Sequence, residues 1–224
     1  TLATLAVAQQ RSSYDVYRTA SPIRIDAKLD EEAWKLAPPA GPFHFHLNPG
    51  APSNQQTTVK LLWDDANLYL GYEMDDTHIS AYITERHGPV SKDDCVELFL
   101  SPNPEKVSNY YTFEINAIGT MLNRCKTDWW TGPPTWEPEG VRYRTTFQGR
   151  PKKDPSPSDR KWALEIAIPL ENFARDAVHT PPQEGDVWRL NLNRLEGLAH
   201  PDSKDKRPGL ITWSPLGDGV TSFH

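Results

Sequence analysis

Hydrophobic and polar residues alternate with a period of two over much of this chain, most densely between Asp93 and Lys126. Side chains of a strand point alternately to its two faces, so this spacing predicts strands. Three are expected in succession, over 96–100, 110–118 and 121–126. The Pro/Asn/Ser-rich run SPNPEKVSN separates the first two, and a tight turn at Gly119-Thr120 the second and third. One face then carries Val96, Leu98, Leu100, Phe113, Ile115 and Leu122. The other carries Cys95, Glu97, Glu114, Asn116, Asn123 and Cys125. That second set is too polar for a core and too concentrated for an ordinary solvated surface.

The same reading along the chain gives an edge strand within 14–25, broken by Pro22, and a short helix in LDEEAWKLAPP. Asp30 is expected to cap that helix, Trp34 to plug the core, and Pro38-Pro39 to end it. Segments 57–63 and 68–74 form a hairpin around Asp64-Asp65-Ala66-Asn67, with Leu68, Leu70, Tyr72 and Met74 on one side. Strands follow over 141–147, 162–168, 187–194 and 210–214, with a second short helix after Pro169. The expectation is an all-β fold, a two-sheet antiparallel β-sandwich with one or two short helices.

Composition narrows this further. The 224 residues, with 21 prolines, 8 tryptophans and 8 tyrosines, suit one β domain of short strands and loops. No composition shift or internal repeat divides the chain. A net charge of −6 without basic blocks argues against nucleic acid as a partner, and no apolar run is long enough to span a bilayer. Residues 1–8 end in Ala6-Val7-Ala8, the small-x-small pattern that precedes a signal cleavage site. They are expected to be the remnant of a secretory signal ahead of a single domain over 9–224, which places the protein outside the cytoplasm. Cys95 and Cys125 lie two strands apart on the expected register. Two ladder spacings are about 9–10 Å, more than a disulfide spans, so free buried thiols are expected.

Three groupings carry candidate chemistry. His44 and His46 share a face but lack a third nearby ligand, so they read as ordinary exposed or hydrogen-bonded histidines. The run TDWWTGPPTWEPEG sets Trp129, Trp130 and Trp136 in a stiff polar loop, as ring platforms for a ligand or as a self-packed loop. On the polar sheet face, Glu97 and Glu114 are expected to lie opposite each other, with Asn116, Asn123, Arg144, Arg189, Asn191 and Asn193 nearby. Amides and carboxylates match the hydrogen bonding of vicinal sugar hydroxyls, aromatic rings cover a sugar's apolar face, and arginine neutralises the carboxylates. The paired carboxylates also fit retaining glycoside hydrolysis by Glu97 and Glu114, or a calcium ion held through oxygen.

The succession PIRIDAKLDEEAW, TTVKLLWDDANLYLGYEMDD, KDDCVELFLSP, YYTFEINAIG, WALEIAIP, GDVWRLNLNR and ITWS resembles carbohydrate-binding module family 9 and the wider DOMON-like sandwiches. The likeness runs from about Tyr17 to the end. It implies two antiparallel sheets of jelly-roll or DOMON-like type, a sugar slot on a concave face, and structural calcium. It also implies attachment to secreted xylanases or other polysaccharide hydrolases. The family's binding glutamate falls on Glu97, and Glu114 stands where the family carries an arginine. Its two sugar-sandwiching tryptophans fall near Ser91 and Phe223, with Trp129, Trp130 or Trp136 as substitute platforms. The family continues past Phe223-His224, so a domain cut at its C-terminal end is expected. Some DOMON-like domains hold haem through methionine, for which Met74 and Met121 are the candidates here.

Overall fold

The computed structural model describes residues 12–46, 48–52, 56–126, 136–152, 156–196 and 209–214. The strands are β1 (Tyr17–Arg18), β2 (His44–Phe45), β3 (Asn48–Pro52), β4 (Thr57–Trp63), β5 (Asn67–Asp75), β6 (Cys95–Ser101), β7 (Tyr111–Asn116), β8 (Met121–Cys125), β9 (Arg142–Gln148), β10 (Lys161–Pro169), β11 (Arg189–Glu196) and β12 (Gly209–Thr212). One α-helix, α1 (Glu32–Leu36), precedes β2, and 3-10 turns lie at Val90–Lys92 and Leu170–Phe173. A five-stranded sheet, ordered β1-β4-β5-β10-β9, faces a seven-stranded sheet, ordered β3-β2-β12-β11-β6-β7-β8. All pairs are antiparallel except the two-residue β1–β4 edge. The fold is the expected β-sandwich.

Alternation explains what fills the interior. Leu68, Leu70, Tyr72 and Met74 of β5, and Trp162, Leu164, Ile166 and Ile168 of β10, meet Val96, Leu98 and Leu100 of β6 and Phe113 and Ile115 of β7 in one buried cluster. Fully burying such side chains stabilises by roughly 1.5–3 kcal/mol each, which makes this cluster the main driving force of the fold. Arg194 also lies inside, fully buried, one residue past the asparagines of β11. Its guanidinium bonds Asp76 Oδ2 at 3.0 Å and Thr57 Oγ1 at 3.2 Å, tying the seven-stranded sheet to the end of the β4–β5 hairpin. Alternation marks Arg194 as inward-facing beside Leu192, but its charge had pointed to solvent.

A second, smaller core lies outside the five-stranded sheet, where Trp34, Ala33 and Ile23 pack on Leu62, Tyr69 and Ala167. Trp34 is the expected plug, and it has a polar anchor as well. Glu165 accepts the Trp34 indole N–H at 3.0 Å and the backbone N–H groups of Asp26 and Ala27 at 2.8 Å each. The helix N-cap is Glu31, without a side-chain capping bond, rather than Asp30. Packing against Glu165 therefore holds the helix where capping does not.

The β7–β8 connection departs from the expected register, with consequences for the site. Asn116 Oδ1 accepts the Thr120 N–H at 2.7 Å, and its amide donates to Ile83 O and Asp93 Oδ2 at 2.8 Å each. The loop therefore closes at Asn116 with three residues inside it, and Gly119 takes the left-handed conformation such a loop needs (φ +87°). Glu114 then pairs with Leu122, not with Cys125. An odd shift moves every β8 side chain to the opposite face. Cys125 turns to the core cluster while Cys95 stays beside Glu97, and both thiols are free and buried.

The bonds that Glu165 accepts predict a measurable cost. Glu165→Gln places an amide N–H against fixed donors and should lower stability by about 2 kcal/mol, read by urea denaturation; an unchanged midpoint would remove Glu165 as the anchor of α1.

Candidate functional site

Two buried faces of the seven-stranded sheet differ sharply in chemistry. The inner face is the hydrophobic core. The outer face brings Cys95, Glu97 and Phe99 of β6 opposite Asn116, Glu114 and Thr112 of β7. On the other side of β6, Asn193 pairs with Glu97 and Asn191 with Phe99, and beyond them Thr212 pairs with Asn193. Leu122 and Arg124 of β8 complete this face. Glu97, Thr112, Glu114, Asn193 and Thr212 are all at least nine-tenths buried.

Glu97 and Glu114 stand directly across from one another, with Cβ atoms about 5 Å apart. Asn193 Nδ2 reaches Glu97 Oε2 at 3.5 Å, a weak bond at the limit of hydrogen-bond length. Among the described residues Glu114 has no hydrogen-bond partner. The Asn193 Oδ1 and Thr112 Oγ1 atoms are buried and unpartnered. Leaving such atoms without a partner costs roughly 1–3 kcal/mol each.

Burial is the main cause of raised pKa values at both glutamates. The charge of Glu114 pushes Glu97 further up, while Asn193 works against it. Glu114 rises to about 7, held back by the Arg124 guanidinium. At neutral pH the pair keeps a proton, because two carboxylates this close cannot both ionise without a counter-charge. Burial, and after it the acidic neighbours Glu97, Glu114, Asp94 and Asp93, push the Cys95 thiol up, so it is inert.

The expected site residues divide accordingly. Glu97, Glu114, Asn193 and Asn191 come together on one face, and Arg189 lies farther along β11, exposed opposite Ser101. Asn191 is committed to Thr212 Oγ1 and Ser214 O. Asn116 shares the face but is consumed by the loop it closes. Three residues belong elsewhere. Arg144 is on β9 of the other sheet, opposite Glu165, so it cannot neutralise the pair. Asn123 is on the core side of β8, donating to Trp136 O at 2.6 Å and accepting from Arg86. Trp136 packs edge-on against Tyr111 and Phe113, with ring centroids 4.9 and 5.6 Å away, and so covers the core rather than a ligand. Trp129, Trp130 and Phe223 lie outside the described residues. Thr112 and Arg124 are additions: Thr112 was readable from alternation with Glu114, whereas Arg124 was hidden by the register of β8.

Among the described residues no three His, Cys, Asp or Glu side chains stand together as metal ligands. The buried aspartates serve the backbone instead. Asp93 accepts from Tyr82 and Ile83 N–H, Asp159 from Ile79, Arg150 and Ser156 N–H, and Asp76 from His78 N–H and Arg194. Met74 and Met121 are both core side chains, which removes the methionine ligand from the haem reading.

Comparison with known proteins bears on the family and the fold. The sequence profile described as "Carbohydrate-binding family 9" matches residues 49–224. Among curated proteins no sequence matches the chain. The fold is similar to that of a candidate carbohydrate-binding protein from Bacteroides uniformis, at 20% identity and a TM-score of 0.70, covering 96% of this chain and 95% of that one. It is also similar to a family 9 module from Caldicellulosiruptor kristjanssonii in complex with cellotriose, at 16% identity and a TM-score of 0.55 over 93% and 98% of the two chains. The glucose complex of a module from that organism gives 17%, 0.57, and 92% and 99%.

The buried pair predicts how stability follows pH. A carboxyl whose folded pKa lies above its unfolded value of 4.5 binds protons more tightly when folded. Its stabilising contribution is complete below about pH 4.5 and is lost as pH rises through the folded values. Glu114→Gln should therefore match the parent protein near pH 4 and exceed its stability at pH 8, by on the order of 2 kcal/mol. Urea titrations at the two pH values check this, and a variant less stable than the parent at pH 8 would contradict it.

Proposed function

Because the chain belongs to carbohydrate-binding family 9, we propose that it binds its sugar on the outer face of the seven-stranded sheet, with Glu97 as anchor. The observation that carries this placement is the buried polar set of Glu97, Glu114, Asn193 and Thr112 on one sheet face, with Asn193 Oδ1 and Thr112 Oγ1 unpartnered. Protein interiors satisfy their polar atoms, so a fold that leaves several side by side is supported by a ligand that completes them. Sugar hydroxyls supply donors and acceptors of the right kind. The cellotriose and glucose complexes of the Caldicellulosiruptor modules make a glucose-based ligand the first to test.

Two wider features belong to the same proposal. The Ala6-Val7-Ala8 pattern supports export, and the family likeness supports a role beside polysaccharide-degrading enzymes.

Affinity electrophoresis and calorimetry with glucose, cello-oligosaccharides and soluble polysaccharides test the reading. At least one should bind, and Glu97→Ala should weaken it about 10- to 100-fold, the usual range for a lost hydrogen bond to a charged group. If none of them binds, the reading fails. Release of reducing sugar by the purified protein, lost in either Glu97→Gln or Glu114→Gln, would replace binding with hydrolysis.

A further inference from the structure

The Glu97–Glu114–Asn193 cluster has an imbalance that neutral sugar hydroxyls do not remove. Glu97 and Glu114 face each other across β6 and β7, and Asn193 faces Glu97 from β11. Asn193 has no exposure, its Nδ2 is turned to Glu97, and its Oδ1 has no partner. Three acceptor-bearing side chains thus lie on three neighbouring strands of one sheet face. Even with one proton retained, each carboxyl still offers an acceptor oxygen. The charged neighbours are few. Arg124 acts on Glu114 from β8, whereas the charge that bears on Glu97 is that of Glu114 itself. Arg194, the adjacent residue on β11, points to the other side of the sheet and is committed to Asp76 and Thr57. Asp93 and Asp94, beside Cys95, add negative charge.

A hydroxyl has one donor to offer such a set and no charge. A protonated amine has three donors and one positive charge, matching three acceptors in an acidic, water-poor setting. Glu97 and Glu114 keep only 5% and 4% of their surface exposed, so one small substituent reaches them while the ring stays outside. We infer that the site selects an amino sugar, whose ammonium group is held by Glu97, Glu114 and Asn193 Oδ1. This rests on the sugar-binding reading above and names the ligand class of that site. Glu114 is then the specificity-determining residue, because its carboxyl turns a single acidic anchor into a cation subsite.

Calorimetry at pH 7 and low salt with glucosamine, glucose and N-acetylglucosamine tests this, since the three share a ring and differ in charge at one position. Glucosamine should bind at least tenfold tighter than glucose, and N-acetylglucosamine no tighter than glucose. Glu114→Gln should bring the glucosamine-to-glucose affinity ratio down to within about threefold of one. In the parent protein the preference should also disappear at pH 9, above the usual range of about 7.7–8.0 for an amine of this kind. That second measurement needs no variant. Equal binding of glucose and glucosamine overturns the inference but leaves the sugar site standing. A preference that survives in Glu114→Gln, or at pH 9, overturns it too. Binding of none of the three sugars, nor of the glucans above, removes both.

Discussion

The register of β6 against β7 is the constraint on which the rest of the structure depends. It sets Val96 and Leu98 opposite Ile115 and Phe113 on one face, and Glu97 opposite Glu114 on the other. The apolar face drives the two sheets together, and the same register holds the acidic residues side by side on the opposite face. A slip of β7 by one residue would turn its faces over and put the Glu114 carboxyl into the core. Core formation and the acidic pair are therefore not separable features: the hydrophobic effect that closes the sandwich also fixes the glutamates side by side.

The interior holds many other acidic groups, and their treatment is instructive. Glu165 is satisfied by two backbone N–H groups and an indole, and Asp159 by three backbone N–H groups. Asp76 is paired with Arg194, and Asp93 organises the turn at Tyr82 and Ile83. Each of these carboxylates has a structural task, although Asp93 Oδ1 is itself buried without a partner. Glu97 and Glu114 have one weak bond between them. That contrast, within one molecule and under one set of solvation costs, separates a binding face from a structural one.

The alternation of β5, β6, β7 and β10 was legible because each strand has a continuous apolar face, and period two leaves little freedom once that face must be buried. Trp34 as a core plug was legible for the same reason. The face of β8 was not. Its sequence, MLNRC, alternates too weakly to fix a register, and the turn at Gly119-Thr120 pointed to the wrong closing residue. Asn123 and Trp136 were misplaced with it. Arg144 was misplaced for another reason: alternation tells which side of a strand a residue occupies, but not which sheet the strand joins.

By itself, the sequence determined the sandwich class, most strands, their inner residues and the pairing of Glu97 with Glu114, because all of these follow from local periodicity and from one short connection. The family likeness was also readable there, from motifs in order. Only the tertiary structure decided that β9 leaves the polar sheet, that β8 turns Arg124 rather than Asn123 toward the glutamates, and that Arg194 crosses the interior to Asp76. It alone showed Asn193 Oδ1 without a partner and the aspartates spent on backbone N–H groups. These depend on which distant segments meet, and hydrogen-bond partners far apart in sequence leave no periodic trace along the chain.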